Sequence, residues 1–406
     1  WGLVVAPASA RMGFRRGNRE TDVDSGHGIG GIAPQAHETA PGAARHWDPL
    51  AGLREQDGPP LDVLMCGTVF YDLIFTGMDR LPGPGEEIWT QGMGSCPGGI
   101  ANLAVASSRL GLHTGLVAGF GDDAYAAWLW HTLADQEHID LSASKRFNDF
   151  HTAITVSMSI DGDRSMVTHG HELPVRLGQS MIAAPAARAA VVDLAGESSW
   201  CAPLAARGTR IFADIGFDET GRWDPSDLAP LAFCHAFTPN AVEAMHYTRT
   251  DSASAAVRAL ADKVPLAVVT DGVNGAYAID QSTGEEAFCP AVPVKATDPT
   301  GAGDVFAAAS VLGVLAGWPL ANRLKFASLC SALAVQQFGG SLAAPGWGDI
   351  ADWWHTIMSA SDAGDLRMAY IRDQYGFLSD VIPTCTVKGV RRAQATFALA
   401  SDADVD

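Results

Sequence analysis

The sequence predicts an α/β domain in which a mainly parallel sheet carries helices on both faces and a small second sheet projects from it. Three observations lead there. From Asp62 onward, short apolar strand-like runs alternate with helical patterns, as in successive βαβ units. Two glycine-rich turns, Cys96–Gly99 and Asp298–Gly303, each lead into an Ala-rich helical stretch. Two strand-like runs, 152–160 and 164–169, flank Asp161-Gly162-Asp163, a hairpin signal that interrupts the alternation.

Residues 1–60 show no sustained periodicity and are rich in Gly, Pro, Ala, His and charge, so a mostly disordered extension is expected. Its GxGxxG pattern, Gly26–Gly31, has no strand before it and no helix after it, and reads as coincidence. Asp62–Gly67 is the first buried-strand run, with Asp72 beyond its carboxyl end, where ligands bind in open α/β sheets. Met78–Gly99 reads as turns and Asn102–Leu110 as a helix closed by Gly111. His113–Phe120 reads as a strand and Ala124–Gln136 as a helix. Short core strands are expected at 189–194, 209–215, 236–238 and 266–270, and a strand-like run at 291–296 precedes the second glycine-rich turn. Val305–Asn322 is the longest uncharged stretch, but Gly313, Gly317 and Pro319 make it a buried helix with a stop. A membrane span needs about 20 apolar residues. The tail after Asp349 is helical in pattern, with Trp353 and Trp354 packing back; 355–406 is expected to be a helical or partly disordered extension.

With 406 residues, 47% of them hydrophobic and 18% charged, the chain can bury a large core. The 27 basic and 46 acidic residues leave a net charge of −19. That charge argues against nucleic-acid or membrane-surface binding, though not against a small anion held by a few local donors. Seven scattered cysteines, none in a CxxC pair, make neither a zinc motif nor a disulfide framework. Trp1–Ala10 lacks the basic start and apolar length of a signal peptide, so a soluble cytoplasmic protein is expected.

Chemistry concentrates in four stretches. In Asp298-Pro-Thr-Gly301-Ala302-Gly303-Asp304 the helix amides and macrodipole can hold an anion, and the glycines let a phosphate approach the backbone. Asp304 beside it can take a proton from an attacking hydroxyl; the same stretch reads equally as an ordinary helix cap. Cys96-Pro-Gly98-Gly99-Ile-Ala-Asn102 can admit and hydrogen-bond a polyol, or serve as a helix entry with a capping Asn. Asn240 and Glu243, three apart at a helix start, offer oxygens suited to Mg²⁺, directly or through water; a Glu in a first turn is also favoured by the dipole alone. Thr270-Asp-Gly272-Val-Asn-Gly275 fits either a nucleotide-facing turn or a plain hairpin. A Walker A pattern is absent, so phosphate chemistry here is not of the P-loop kind.

Taken in this order, these stretches resemble the ribokinase-like (PfkB) family of carbohydrate and nucleoside kinases from about Asp62 to Trp354. The two signatures are Pro97-Gly-Gly-Ile-Ala-Asn102 and Asp298-Pro-Thr-Gly-Ala-Gly-Asp304. Landmarks between them include Leu81-Pro-Gly-Pro-Gly85-Glu86, Gly121-Asp-Asp123, Gly162-Asp-Arg164, Pro239–Glu243 and Thr270–Gly272. The resemblance implies a three-layer α/β/α domain over 61–354 with a small β-sheet lid from about 72–99 and 150–172. It implies transfer of the ATP γ-phosphoryl group to a sugar hydroxyl, with Asp304 as base and the amides of Gly301, Ala302 and Gly303 as anion hole.

By the same resemblance, Asp72, Gly98, Gly99 and Asn102 hold the sugar, and Asn240 and Glu243 organise Mg²⁺ and phosphate. Thr270, Gly272 and Gly275 line the nucleotide side. Asp298, Thr300, Ala334 and Gly339 occupy places that surround a monovalent cation such as K⁺ in some relatives. The chain departs from the family in having one residue fewer between Gly99 and Asn102 than ribokinase, no lysine after Gly99, and Ala126 for the last glycine of GDDxxG. His169 and His171 lie where lid residues approach the acceptor in relatives. Within enzymes the rival is a nucleoside kinase, with Phe70, Tyr71, Trp89 and Phe150 available to stack a base. From another class comes a catalytically silent binding protein on the same fold. Open lid edges make a homodimer an expected partner state.

Overall fold

The computed structural model describes residues 47–160, 163–218 and 220–383; the Gly26–Gly31 pattern and the Asp161-Gly162 turn lie outside them. The first half contains β1 (Leu61–Cys66), β2 (Val69–Met78), β3 (Gly92–Gly99), α1 (Ile100–Arg109), β4 (Thr114–Val117), β5 (Gly119–Phe120) and α2 (Ala124–Trp130). There follow β6 (Lys145–Arg146), β7 (Ala153–Ile160), β8 (Asp163–His169), α3 (Gly178–Ala183), β9 (Ala187–Asp193) and α4 (Cys201–Ala205). The second half has β10 (Arg210–Asp214), β11 (Ala236–Phe237), α5 (Ala241–Thr248), α6 (Ala253–Ala261), β12 (Leu266–Thr270), β13 (Ala276–Asp280) and β14 (Glu285–Cys289). It closes with α7 (Ala302–Leu315), α8 (Leu320–Ala334), α9 (Trp347–Asp362), α10 (Leu366–Tyr375) and α11 (Leu378–Val381).

The central sheet has the order β14-β13-β12-β11-β10-β9-β1-β4. From β4 to β12 its neighbours are parallel, and β13 and β14 add an antiparallel edge. Side chains alternate between two apolar layers, as the period of a strand requires. Val63, Met65, Ala189, Val191 and Val268 face one core with α1, α7, α8 and α9. Leu64, Ala190, Val192, Ala267 and Val269 face the other with α4, α5 and α6. This is the expected three-layer arrangement, and all the parallel strands present their carboxyl ends at one rim.

The lid is a four-stranded sheet in the order β3-β2-β7-β8. Here the structure corrects the sequence reading. Asp72 lies within the lid strand β2, paired opposite Cys96, and part of the span read as turns is β3. The run at 291–296 is not a strand; the strand is β14, and Pro290 and Pro293 lack the N–H groups needed to extend the ladder. The Thr270–Gly275 stretch joins β12 to β13 as an antiparallel hairpin.

The domain also exceeds 61–354 at both ends. Leu50 is fully buried, and α9 crosses the expected boundary before Tyr375 and Leu378 bury against the same core. On the amino-terminal side the attachment is electrostatic as well. Asp62, fully buried at the start of β1, accepts from Arg54 Nη2 at 2.5 Å, from Arg188 Nη1 at 3.2 Å and from the His113 amide at 2.8 Å. Burial alone would raise this carboxyl; the Arg54 bond and the His113 amide hold it below the ordinary range. Removing one member of a buried ionic cluster leaves the other charges uncompensated. Asp62→Ala is therefore expected to cost about 3–5 kcal/mol of stability, read as a lower urea midpoint.

Candidate active site

The first turn of α7 meets the first turn of α1 at the carboxyl rim of the sheet. Gly301 is the residue before α7 and holds φ +74°, a left-handed conformation that glycine adopts without strain. No side chain caps that helix, and Asp304 lies in its first turn, so the ordinary-cap reading of Asp304 does not apply. Gly99 holds the same position before α1, which puts Asn102 inside the helix instead of at its cap. Asn102 Nδ2 donates to Asp304 Oδ2 at 3.2 Å, across 202 residues of sequence. The Asn102 Oδ1 atom is buried without a hydrogen-bond partner in the structure, an acceptor suited to a ligand hydroxyl.

Asp304 is partly accessible at its edge but ringed by protein. Desolvation pushes its carboxyl up to about 6, and the bond from Asn102 offsets only part of that. A Cβ on Gly303 would meet no heavy atom within 4 Å, so its face is open to an incoming group. In the lid, Gly98 lies so close to Asp72 that a Cβ would fall 2.0 Å from Asp72 Oδ2. The absence of a side chain there lets the Asp72 carboxylate lie flat on β3.

The loop after α8 ties these parts together. Gly339 N donates to Asp298 Oδ2 at 3.1 Å, and Thr300 N donates to Asp298 Oδ1 at 2.9 Å. Gly340 packs against both Gly301 and Asn102, and Ser341 Oγ donates to the Pro97 carbonyl at 2.5 Å. Asp298, Thr300 and Gly339 are thus gathered as expected, next to the end of α8 at Ala334; the Asp298 oxygens serve protein donors. Gly340 and Ser341 were not singled out from the sequence, although a Gly-Gly-Ser run after a helix is a turn signal.

Asn240 and Glu243 form a reciprocal capping box at the start of α5: Glu243 N donates to Asn240 Oδ1 at 3.0 Å and Asn240 N to Glu243 Oε2 at 2.9 Å. Asn240 also bridges Thr270 across the sheet rim, so the two expected ligand groups adjoin. Burial raises the Glu243 carboxyl despite its capping bonds, and Asp193 raises it further. Asp214, at the end of β10, is pushed well above the ordinary carboxyl range by burial, with Glu243, Asp304 and Asp193 adding to the shift. Sequence reading missed Asp193 and Asp214, although both end core strands at the rim where Asp72 had been placed.

Neighbouring carboxylates that add to burial in pushing Asp214 and Glu243 up suit a divalent cation, which would relieve the repulsion. Among the described residues no group of three His, Cys, Asp or Glu side chains could hold a metal ion, so the fit is to a cation reached partly through water. On the far side, Gly272 and Gly275 shape the β12–β13 hairpin with Val273 exposed between them. Of the four aromatic residues considered as stacking surfaces, Tyr71 and Phe150 are engaged by other rings. Tyr71 packs on Tyr125 and Trp128 at 4.8 and 5.2 Å, and Phe150 packs on Phe147 at 5.7 Å; Trp89 is exposed.

Comparison with known proteins identifies the family and the fold. A fructokinase of Klebsiella pneumoniae is 31% identical over 282 residues, covering 62% of this chain and 89% of that protein. The solved structure of Arabidopsis thaliana ribokinase complexed with ribose and ATP superposes with a TM-score of 0.61 at 22% identity, covering 72% of this chain and 98% of that one. A Burkholderia thailandensis nucleoside kinase in complex with inosine gives 0.59 at 22% identity, with coverage of 72% and 98%. These two structures show the shared fold. The model of the pfkB family of carbohydrate kinases matches residues 61–346, and the chain belongs to that family of phosphotransferases, which act on an alcohol group.

Proposed function

We propose that the protein transfers the γ-phosphoryl group of ATP to a hydroxyl of a sugar. The Asn102–Asp304 hydrogen bond carries this reading, because it joins both glycine-rich turns at the first turn of α7. Asp304 takes the proton from the acceptor hydroxyl while its Oδ2 is held by Asn102. The amides of Gly301 and Gly303, at the positive end of α7, stabilise charge on the transferring group; the Ala302 amide, expected to join them, instead donates to the Pro299 carbonyl at 3.2 Å. Asp72, with Gly98 and Gly99 beside it, and the unpartnered Asn102 Oδ1 bind and orient the sugar hydroxyls.

Thr270, Gly272 and Gly275 face the nucleotide. Asn240 and Glu243 would hold Mg²⁺ through water, where it would supply charge neutralisation for phosphate oxygens. Asp298, Thr300, Ala334 and Gly339 brace the anion hole from behind, where K⁺ beside Asp298 would neutralise its carboxylate. With Tyr71 and Phe150 already packed against other rings, a sugar fits the lid better than a nucleoside.

The test is ADP release with Mg-ATP across sugars, sugar phosphates and nucleosides, with Asp304→Asn alongside. Acceptor-dependent release that the variant abolishes supports the reading; failure to bind ATP overturns it. A base must be ionised to act. With the Asp304 carboxyl at about 6, kcat/KM is expected to hold above that pH and to fall about tenfold per unit below it, read in a pH–rate profile. We also propose a homodimer paired through the lids, supported by exposed Met166 and Val167 on the edge strand β8. Val167→Lys is then expected to reduce the mass seen by light scattering to that of a monomer.

A further inference from the structure

At the opposite rim of the sheet, where β1, β9 and β10 begin, lies a cavity of about 370 Å³. Its floor is apolar, formed by Leu64, Met181, Leu204 and Leu315, and its walls carry Arg54, Arg188, Arg207 and Arg210. Four guanidinium groups around one cavity are out of keeping with a chain whose net charge is −19. Arg54 and Arg188 have a structural duty, since both bond the buried Asp62. Arg207 and Arg210 do not share it. The Arg207 side chain gives one bond, to the Ile182 carbonyl at 2.7 Å, and the Arg210 side chain makes no hydrogen bond or ion pair among the described residues. Both are exposed, and Glu55 is the single carboxylate in the lining.

Arginine presents a planar fork of donors that matches phosphate oxygens, and a low-dielectric floor beneath it strengthens the interaction. The volume corresponds to about a dozen waters' share of liquid. That is room for a phosphorylated monosaccharide or a smaller phosphorylated acid, and too little for a dinucleotide. We propose that this cavity is a second binding site, separate from the active site, for a small phosphorylated metabolite whose phosphoryl group is held by Arg207 and Arg210. Its carbon portion rests on the Leu204–Met181 floor. Arg188 also donates to the Leu315 carbonyl at 3.2 Å, and Leu315 ends the helix whose first turn holds Asp304. Occupancy therefore touches the far end of the catalytic helix.

Titration calorimetry on the full chain tests the site, with inorganic phosphate, glycerol 3-phosphate and fructose 6-phosphate as separate probes. The same titrations are run on Arg207→Glu/Arg210→Glu. At least one probe is expected to bind with a Kd below about 1 mM and to bind the variant at least tenfold more weakly. Inorganic phosphate binding as tightly as the two esters would mark a free-phosphate site; tighter binding of an ester would mark the metabolite. Both altered side chains are exposed, so an unchanged melting temperature and unchanged basal phosphotransfer check that the variant is folded. Equal affinity in wild type and variant would place the probe in the active site and overturn the proposal, as would the absence of binding by all three probes. Because the readout is binding and not turnover, it stands or falls apart from the assignment of Asp304.

Discussion

Asp304→Asn is expected to lower kcat by about 10²–10⁴ with ATP affinity and melting temperature close to wild type. The substitution keeps shape and a hydrogen-bonding oxygen for Asn102 but removes the proton acceptor. The sign of the stability change follows from the environment. Desolvation raises this carboxyl to about 6, so at neutral pH, where it is ionised in the folded and unfolded chain alike, its burial costs the fold stability. A neutral amide relieves that cost, and the variant should melt at the same temperature or slightly higher. Steady-state ADP release, calorimetry with ATP and a thermal melt separate the two effects. A large loss of stability would show that Asp304 holds the helix start together, contrary to the proposed role.

Gly98→Ala is expected to raise KM for the acceptor about 10–100-fold, with a smaller change in the KM for ATP. A Cβ there would stand 2.0–2.4 Å from all three carboxyl atoms of Asp72, so the carboxylate must swing away from β3. The clash is with the end of a flexible side chain, which lets the lid sheet keep its pairing. What is lost is the placement of a charged acceptor, and hydrogen bonds to charged groups are worth about 1.5–3 kcal/mol. Acceptor kinetics and ATP titration on the same preparation check the split. Equal increases in both KM values would point to general disruption of the lid.

The parts of the site legible in the sequence are those where local chemistry leaves few options. A glycine-rich turn entering an apolar helix identified the starts of α1 and α7, and Asn240 with Glu243 was legible as a helix start. The apolar runs of β1 and β12 were legible for the same reason. The lid strands were less so. Gly92-Met-Gly-Ser-Cys-Pro-Gly-Gly99 is poor in strand-forming residues, and its extended state is imposed by pairing with β2 along its whole length. Nor does local sequence disclose that Arg54 reaches Asp62, or that Gly340 wedges between Gly301 and Asn102. Such contacts depend on tertiary placement, and residues 47–60 were misread because their attachment rests on Leu50 and one ionic cluster.

The bond between Asn102 and Asp304 has a bearing on how the chain reaches its working state. Two segments separated by 202 residues must meet before either signature is complete. Closing so long a loop is entropically slow compared with local helix formation. On the proposed role of Asp304, a nascent or truncated chain ending ahead of α7 would lack the base, however well its first strands are formed. If Asp304 is the base proposed above, phosphotransfer would mature only with that late closure, and a half-built chain would spend no ATP.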